Sequence, residues 1–284
     1  MPELPEVETI RRGLSERIVN KKIVDIEIKK PRLIRNKLAD FKALVYKNHI
    51  LSIDRVGKLL ILNLADSNFL LIHLKMTGQL IYSFNSDIVA GGHNFPSLES
   101  LPNKYSHIIF RFSDGSSLFF NDMRQFGYMQ IVDAKGHQKV RSKFGIEPAS
   151  RDFTWKNFQS IIKSRRGVLK AFLLDQRFIA GIGNIYADEI CWRARLLPQR
   201  RVESLSPTDV KRLYQASQFI IKKAIAKKGT TFRDYRDVDN KKGNFIQYLK
   251  VYGRSGEKCL VCKNKIQKIR LAGRGTHLCS HCQK

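Results

Sequence analysis

The sequence predicts an α+β, multidomain chain: an N-terminal β-sandwich preceded by a helix, then a helical domain, then a small cysteine-rich hairpin. Hydrophobic periodicity is the first observation behind this, since it is alternating through the first half of the 284 residues and helical through most of the second. The second is the position of the cysteines, four of the five lying close to the C-terminal end. The third is length, which gives two ordinary domains room to bury a core each.

The elements follow in order. After "MPELPEVETIRRGL", Leu4, Val7, Ile10 and Leu14 recur at helical spacing, and Pro5 suits a first helical turn, where its missing N–H costs nothing, so a short helix is predicted from about residue 5. From "KIVDIEI" to "MQIV" short alternating runs of Val, Ile, Leu and Phe are separated by the turn signals "VGK", "ADSN", "MTGQ" and "SDGS", the pattern of a sandwich or barrel. Residues 85 to 104 hold Gly-Gly, two prolines and several Ser and Asn, and read as a long loop. Beyond "FGIEP", four segments carry apolar residues at helical spacing; the last opens on Ser-Pro-x-Asp and stops at Gly229. The strand-like "IQYLKVYG" and the cysteines close the chain. The expected boundaries are a β domain over 1–133, a linker over 134–150, a helical domain over 151–229 and a C-terminal region over 230–284.

Charge indicates the kind of partner. With 52 Lys and Arg against 25 Asp and Glu, the net charge is +27, and 43% hydrophobic residues place that charge on a folded surface. Neutralising phosphates supplies most non-specific affinity for nucleic acid, so nucleic acid is the expected polyanion. An anionic membrane surface is the competing reading, but no single basic amphipathic helix stands out. The longest apolar stretch, "LLILNLADSNFLLIHL", is broken by Asn63, Asp66, Ser67 and Asn68. A cytoplasmic monomer is expected.

Cys259 and Cys262 form "CLVC", Cys279 and Cys282 form "CSHC", and sixteen residues separate the pairs. Two such knuckles on a hairpin can place four thiolates tetrahedrally around one Zn²⁺, with no open position for catalysis, so the expected cofactor is one structural zinc. Two disulfides are the alternative, disfavoured where thiols stay reduced. Between the knuckles, "IRLAGRGTH" presents Arg274 on a glycine turn, suited to a phosphate or simply solvated. Cys191 reads as a small core residue.

The N-terminus supports two readings. Its acids stabilise a helix start. Alternatively, loss of Met1 makes Pro2 a terminal secondary amine, with a pKa of about 7.7 to 8.0 against about 10.4 for lysine. Such an amine is a nucleophile able to form a Schiff base, with Glu3 beside it for proton transfer.

"PELPEVET", "HLKMTG" at 73 to 78, "DMRQFG" at 122 to 127, "GIGNIYADE" at 181 to 189, "VYGRSG" at 251 to 256 and the closing "CSHCQK" together resemble the bacterial formamidopyrimidine-DNA glycosylases, in that family's order and over nearly the whole chain. The resemblance implies a β-sandwich, a helix-two-turn-helix domain and a zinc finger, with double-stranded DNA bound in the cleft between them. It further implies excision of oxidised purines such as 8-oxoguanine and formamidopyrimidines, followed by β,δ-elimination at the abasic site.

Carried over residue by residue, it makes Pro2 the nucleophile, Glu3 a proton-transfer group, Lys58 a cation at the site, and Arg274 the holder of a phosphate during δ-elimination. Met76, Arg124 and Phe126 would fill the space left by the extruded nucleotide, a thioether and a ring wedging into the stack while the arginine meets the orphaned base. Arg166, Lys170 and Asn184 would contact phosphates, and 233 to 245 would form a loop closing over the lesion. Tyr105 stands where many relatives have a DNA-contacting histidine, so Tyr105 and the nearby His107 are the DNA contacts expected there, and Lys75 precedes the wedge methionine. Two alternatives remain: an endonuclease VIII-like enzyme for oxidised pyrimidines, and a non-catalytic zinc DNA-binding protein.

Overall fold

The structure is a computed structural model describing residues 1–85, 87–93, 101–230, 235–236 and 244–284; for 87–93 and 235–236 only the backbone is described. The chain divides into two compact units, Met1–Ser142 with Lys227–Ile246, and Lys143–Ala226 with Gln247–Lys284. Among the described residues, no helix is long and apolar enough to cross a membrane.

The first unit opens with α1 (Leu4–Ile18), followed by β1 (Ile23–Ile28), α2 (Leu38–Val45), β2 (Ile50–Val56), β3 (Leu59–Leu64) and β4 (Phe69–His73). Next come β5 (Gly78–Phe84), β6 (Asp87–His93), β7 (Ser106–Phe112), β8 (Ser117–Asp122), β9 (Tyr128–Val132) and α3 (Ala134–Arg141). One antiparallel sheet has the order β2-β3-β4-β9. The other runs β1-β7-β8-β5-β6 and ends on a two-residue strand at Tyr235–Arg236, β10 in chain order. Alternation puts Leu60, Leu62, Leu70 and Ile72 of one sheet and Leu80, Ile108, Phe110 and Phe120 of the other into one core. Val7, Ile10, Leu14 and Ile18 of α1 join it at helical spacing. Strand β6 falls within the span expected to be a loop, its backbone groups being satisfied by pairing with β5. Within the expected linker, Asp133 caps α3 by accepting from Gly136 N, and His137 stacks on Phe69 at 4.0 Å.

In the second unit α4 (Trp155–Lys163), α5 (Leu169–Leu174), α6 (Asn184–Ala194) and α7 (Pro207–Ala226) pack through Phe158, Leu173, Ile190 and Leu213. The hairpin β11 (Gln267–Leu271) and β12 (Arg274–Leu278) turns at Ala272 and Gly273, both at positive φ, the left-handed pair that a two-residue turn requires. The strand expected in "IQYLKVYG" is not formed: Phe245–Tyr248 is a 3₁₀ turn. The N–H groups of Lys250, Val251 and Tyr252 donate instead to the buried carboxylate of Glu189, at 2.9 to 3.0 Å. Cys191 is a core residue, as expected, and burial pushes its thiol pKa up.

Candidate active site

Helix α1 starts one residue earlier than expected, with Glu3 as N-cap and Pro5 in the first turn. The acids of "PELPEVET" form a capping box, in which Glu3 N donates to Glu6 Oε2 at 2.9 Å. The other oxygen of Glu6 accepts from Thr230 N at 2.7 Å. Thr230 bridges to Asn244, so one carboxylate ties the chain terminus to the base of the 231–243 segment. Gly229 is required there: its φ is +80°, and a Cβ would lie 2.7 Å from Glu6 Oε1. The capping expected of 233 to 245 lies outside the described residues apart from the Tyr235–Arg236 backbone and Asn244 and Phe245 at its foot.

Pro2 and Glu3 are buried, as is Lys58, which sits in the two-residue turn between β2 and β3, where Gly57 takes φ +57°. That turn is braced: Arg55 donates to Gly57 O and to Glu8, and Glu8 also takes Arg11 and Arg12. Burial opposes ionisation of Glu8, but the three arginines outweigh it and hold its carboxyl at about 2. The Met1 amino group lies in the field of Glu3, Glu6, Lys58 and Arg124; burial lowers its pKa, the two cations add to that, and the two carboxylates oppose it.

The two motif turns meet at Asp122, which is fully buried. Its carboxylate accepts from the Thr77 hydroxyl and from Gly127 N at 2.7 Å, and Thr77 Oγ1 accepts from Arg124 N at 3.0 Å. A Cβ on Gly127 would sit 2.6 Å from the Phe120 ring. Met76, Arg124 and Phe126 are therefore carried on two turns fastened together. Phe126 is 54% exposed, and the Arg124 guanidinium lies 4.6 Å from its ring centroid. Tyr105 is half-buried. The DNA contact expected of His107 is corrected: the ring is buried and bonded to Asp122 O at 2.8 Å, so it supports the turn from inside.

In the second unit Arg166 is exposed, and Arg274 is exposed at the hairpin tip. The expectation for Lys170 is corrected too. Its side chain is 0% exposed, with aligned hydrogen bonds to Thr276 Oγ1 (2.8 Å) and Gly275 O (3.1 Å) and a charge contact with Asp188 Oδ1 at 2.6 Å. Asp188 Oδ2 also accepts from His277 N at 2.8 Å. An ammonium so enclosed cannot reach a phosphate; it holds β12, and with it Arg274, against α6. Asn184, in the first turn of α6 after Gly183, donates to Gly275 O at 3.1 Å, while its buried Oδ1 has no hydrogen-bond partner among the described residues.

The four cysteine Sγ atoms lie within 4.8 Å of one another, with Cys259–Cys282 at 3.9 Å and Cys262–Cys279 at 3.4 Å. Zn–S bonds of about 2.3 Å place tetrahedral sulfurs about 3.8 Å apart, so the set fits one structural Zn²⁺.

Three family models cover most of the chain: the formamidopyrimidine-DNA glycosylase N-terminal domain over residues 1–129, its H2TH domain over 144–236, and a zinc finger found in FPG and IleRS over 256–284. The formamidopyrimidine-DNA glycosylase of Pelotomaculum thermopropionicum is 40% identical over 100% of this chain and 99% of its own length. The chain belongs to the formamidopyrimidine-DNA glycosylase family. The relative from Listeria innocua is 38% identical over the whole of both chains. Among solved structures, Lactococcus lactis Fpg with abasic-site DNA superposes with a TM-score of 0.88 at 34% identity, over 99% of each chain. The wild-type Lactococcus lactis Fpg with N7-benzyl-Fapy-dG DNA gives 0.88 at 34%, over 100% of each.

Within this family member, sequence reasoning passed over four residues. Glu6 and Asp122 stand inside quoted motifs but do no evident chemistry, and Asp188 becomes visible only through its buried partners. His73 is the fourth: its Nδ1 accepts from Lys75 N at 3.0 Å, and burial, with the charges of Lys75, Lys58 and Arg35, holds its pKa at about 3. That leaves Nε2 to carry the proton of a neutral imidazole among cations.

Proposed function

We propose that this glycosylase removes oxidised purines from double-stranded DNA in base excision repair and then cleaves the abasic strand as an AP lyase, acting through the Pro2 amine after loss of Met1. The observation that carries this reading is the buried Pro2–Glu3 dipeptide, next to a Met1 amino group that lies in the field of Glu3, Glu6, Lys58 and Arg124. DNA containing Fapy-dG derivatives or abasic sites in complexes of its Lactococcus relative supports the substrate class.

The free Pro2 amine attacks C1′ of the extruded deoxyribose, the N-glycosidic bond breaks, and the base leaves and takes up a proton. Opening of the sugar ring at O4′ gives an iminium, with Glu3, held at the helix N-terminus, serving proton transfer at the sugar. The iminium acidifies C2′, so loss of its proton expels the 3′ phosphate; a second elimination expels the 5′ phosphate, and water releases Pro2. Lys58 and Arg274 neutralise the phosphates, with Arg166 and Asn184 binding the strand and Tyr105 donating to it. Met76, Arg124 and Phe126 occupy the vacated stack. Cys259, Cys262, Cys279 and Cys282 would hold a zinc ion that fixes the ribbon presenting Arg274. The chain's net charge of +27 suits a cytoplasmic protein gathered on the nucleoid.

Borohydride reduction on an 8-oxoguanine duplex tests the mechanism. A covalent complex linked at Pro2 by peptide mass analysis is expected; a lysine link, or no trapping, contradicts it.

A further inference from the structure

A charged cluster in the first unit takes no part in the chemistry above. Glu8, in the second turn of α1, accepts from Arg11 Nε at 3.0 Å and Arg55 Nε at 3.2 Å on one oxygen. Its other oxygen accepts from Arg11 at 2.9 Å and Arg12 at 2.8 Å. Arg11 and Arg55 carry the cluster on into the sheet, Arg11 donating to Ile53 O in β2 and Arg55 to Gly57 O, each at 3.2 Å. The Glu8 and Arg55 side chains are each 10% exposed, so water screens this pair little.

Gly57 O belongs to the peptide that leads into Lys58. In the two-residue turn from Val56 to Leu59, Gly57 takes φ +57° and Lys58 stays out of the positive-φ region, the pattern of a type II′ turn. Turning the Gly57–Lys58 peptide over would lead toward type I′, which demands φ > 0 at Lys58 as well and re-aims its side chain. The bond from Arg55 holds that peptide in one orientation. The same helix serves the terminus: Glu3 caps α1, and Glu8 lies five residues further on, about 7.5 Å along the axis.

We propose that Glu8 and Arg55 are positioning residues that set the Lys58 cation in register with the Pro2–Glu3 terminus. Arg55 fixes the Gly57–Lys58 peptide, Glu8 fixes the Arg55 guanidinium, and α1 carries Glu8 together with the terminus. This role rests on the function proposed for Lys58.

Arg55→Lys separates the ion pair from the hold on the turn. Lysine keeps a charge facing Glu8 but lacks the planar fork that meets the carboxylate and Gly57 O together. Single-turnover excision of 8-oxoguanine at saturating enzyme should slow about tenfold, while affinity for a duplex carrying a stable abasic analogue and the urea midpoint stay near wild type. In a Lys58→Met background, itself slower than wild type, the same change should slow excision by less than about twofold, because Arg55 acts through Lys58. Arg12→Ala, which removes a Glu8 contact and leaves the hold on Gly57 intact, should also stay within about twofold. Equal slowing by Arg55→Lys with and without Lys58, no slowing at all, or slowing of the same size by Arg12→Ala overturns the proposal, as does a Lys58→Met rate equal to wild type. Borohydride trapping of the wild type reports separately on the reaction: a link at Pro2 with additive effects of Arg55 and Lys58 refutes the positioning role alone, whereas no trapping refutes the reaction itself.

Discussion

Glu6→Gln tests the link between the terminus and the chain at Thr230. The Glu6 carboxylate, 3% exposed, accepts from Glu3 N at 2.9 Å and Thr230 N at 2.7 Å. Glutamine keeps one oxygen and turns an NH₂ toward the other donor, so one charge-assisted bond is lost and a buried N–H is left facing a donor. That costs about 1.5–3 kcal/mol. At 1.4 kcal/mol per tenfold, single-turnover excision slows by about 10- to 100-fold when the loss falls on positioning Pro2. Urea denaturation measures the stability, and rapid-quench excision of 8-oxoguanine measures the rate. Wild-type stability with excision within about twofold of wild type would refute the coupling.

Three further outcomes follow from other parts of the structure. Asp188→Asn leaves the Lys170 ammonium buried without its counter-charge and should destabilise the second unit by about 3–5 kcal/mol, whereas Lys170→Met with Asp188→Leu should recover most of this in thermal melts. Glu8, held at about 2 against an ordinary 4.5, contributes stability that is present in full above pH 4.5 and disappears as pH falls toward 2; with allowance for solvent screening this is on the order of 1–2 kcal/mol. Acid titration of Glu8→Gln should show a shallower loss between pH 5 and 2.5, and an unchanged slope would count against the arginine cluster. Chelating the zinc should unfold the ribbon and abolish DNA binding, while amide exchange in the β-sandwich stays slow; undiminished binding would contradict the hairpin's role.

Much of this architecture is legible locally. Periodicity marks α1 and the strands because one face of each is buried, and the Cys-x-x-Cys pairs announce their ligand set because a knuckle is a local structure. Where local signals misled, a distant partner had intervened. "IQYLKVYG" has the composition of a strand, yet Glu189, some sixty residues away, takes its N–H groups. Lys170 has the character of a phosphate ligand until Asp188 and Thr276 enclose it, and His107 is similarly taken up by Asp122 O.

The sequence by itself determined the domain order, the zinc ligands, the family, and the Pro2–Glu3 terminus as the place to look for chemistry. These are matters of residue type and spacing along the chain. Tertiary structure alone decided which charged groups face solvent and which are consumed inside. It joined Glu6 to Thr230, Asp122 to both motif turns and Lys170 to the hairpin, because burial and hydrogen bonding depend on neighbours that sequence distance does not reveal.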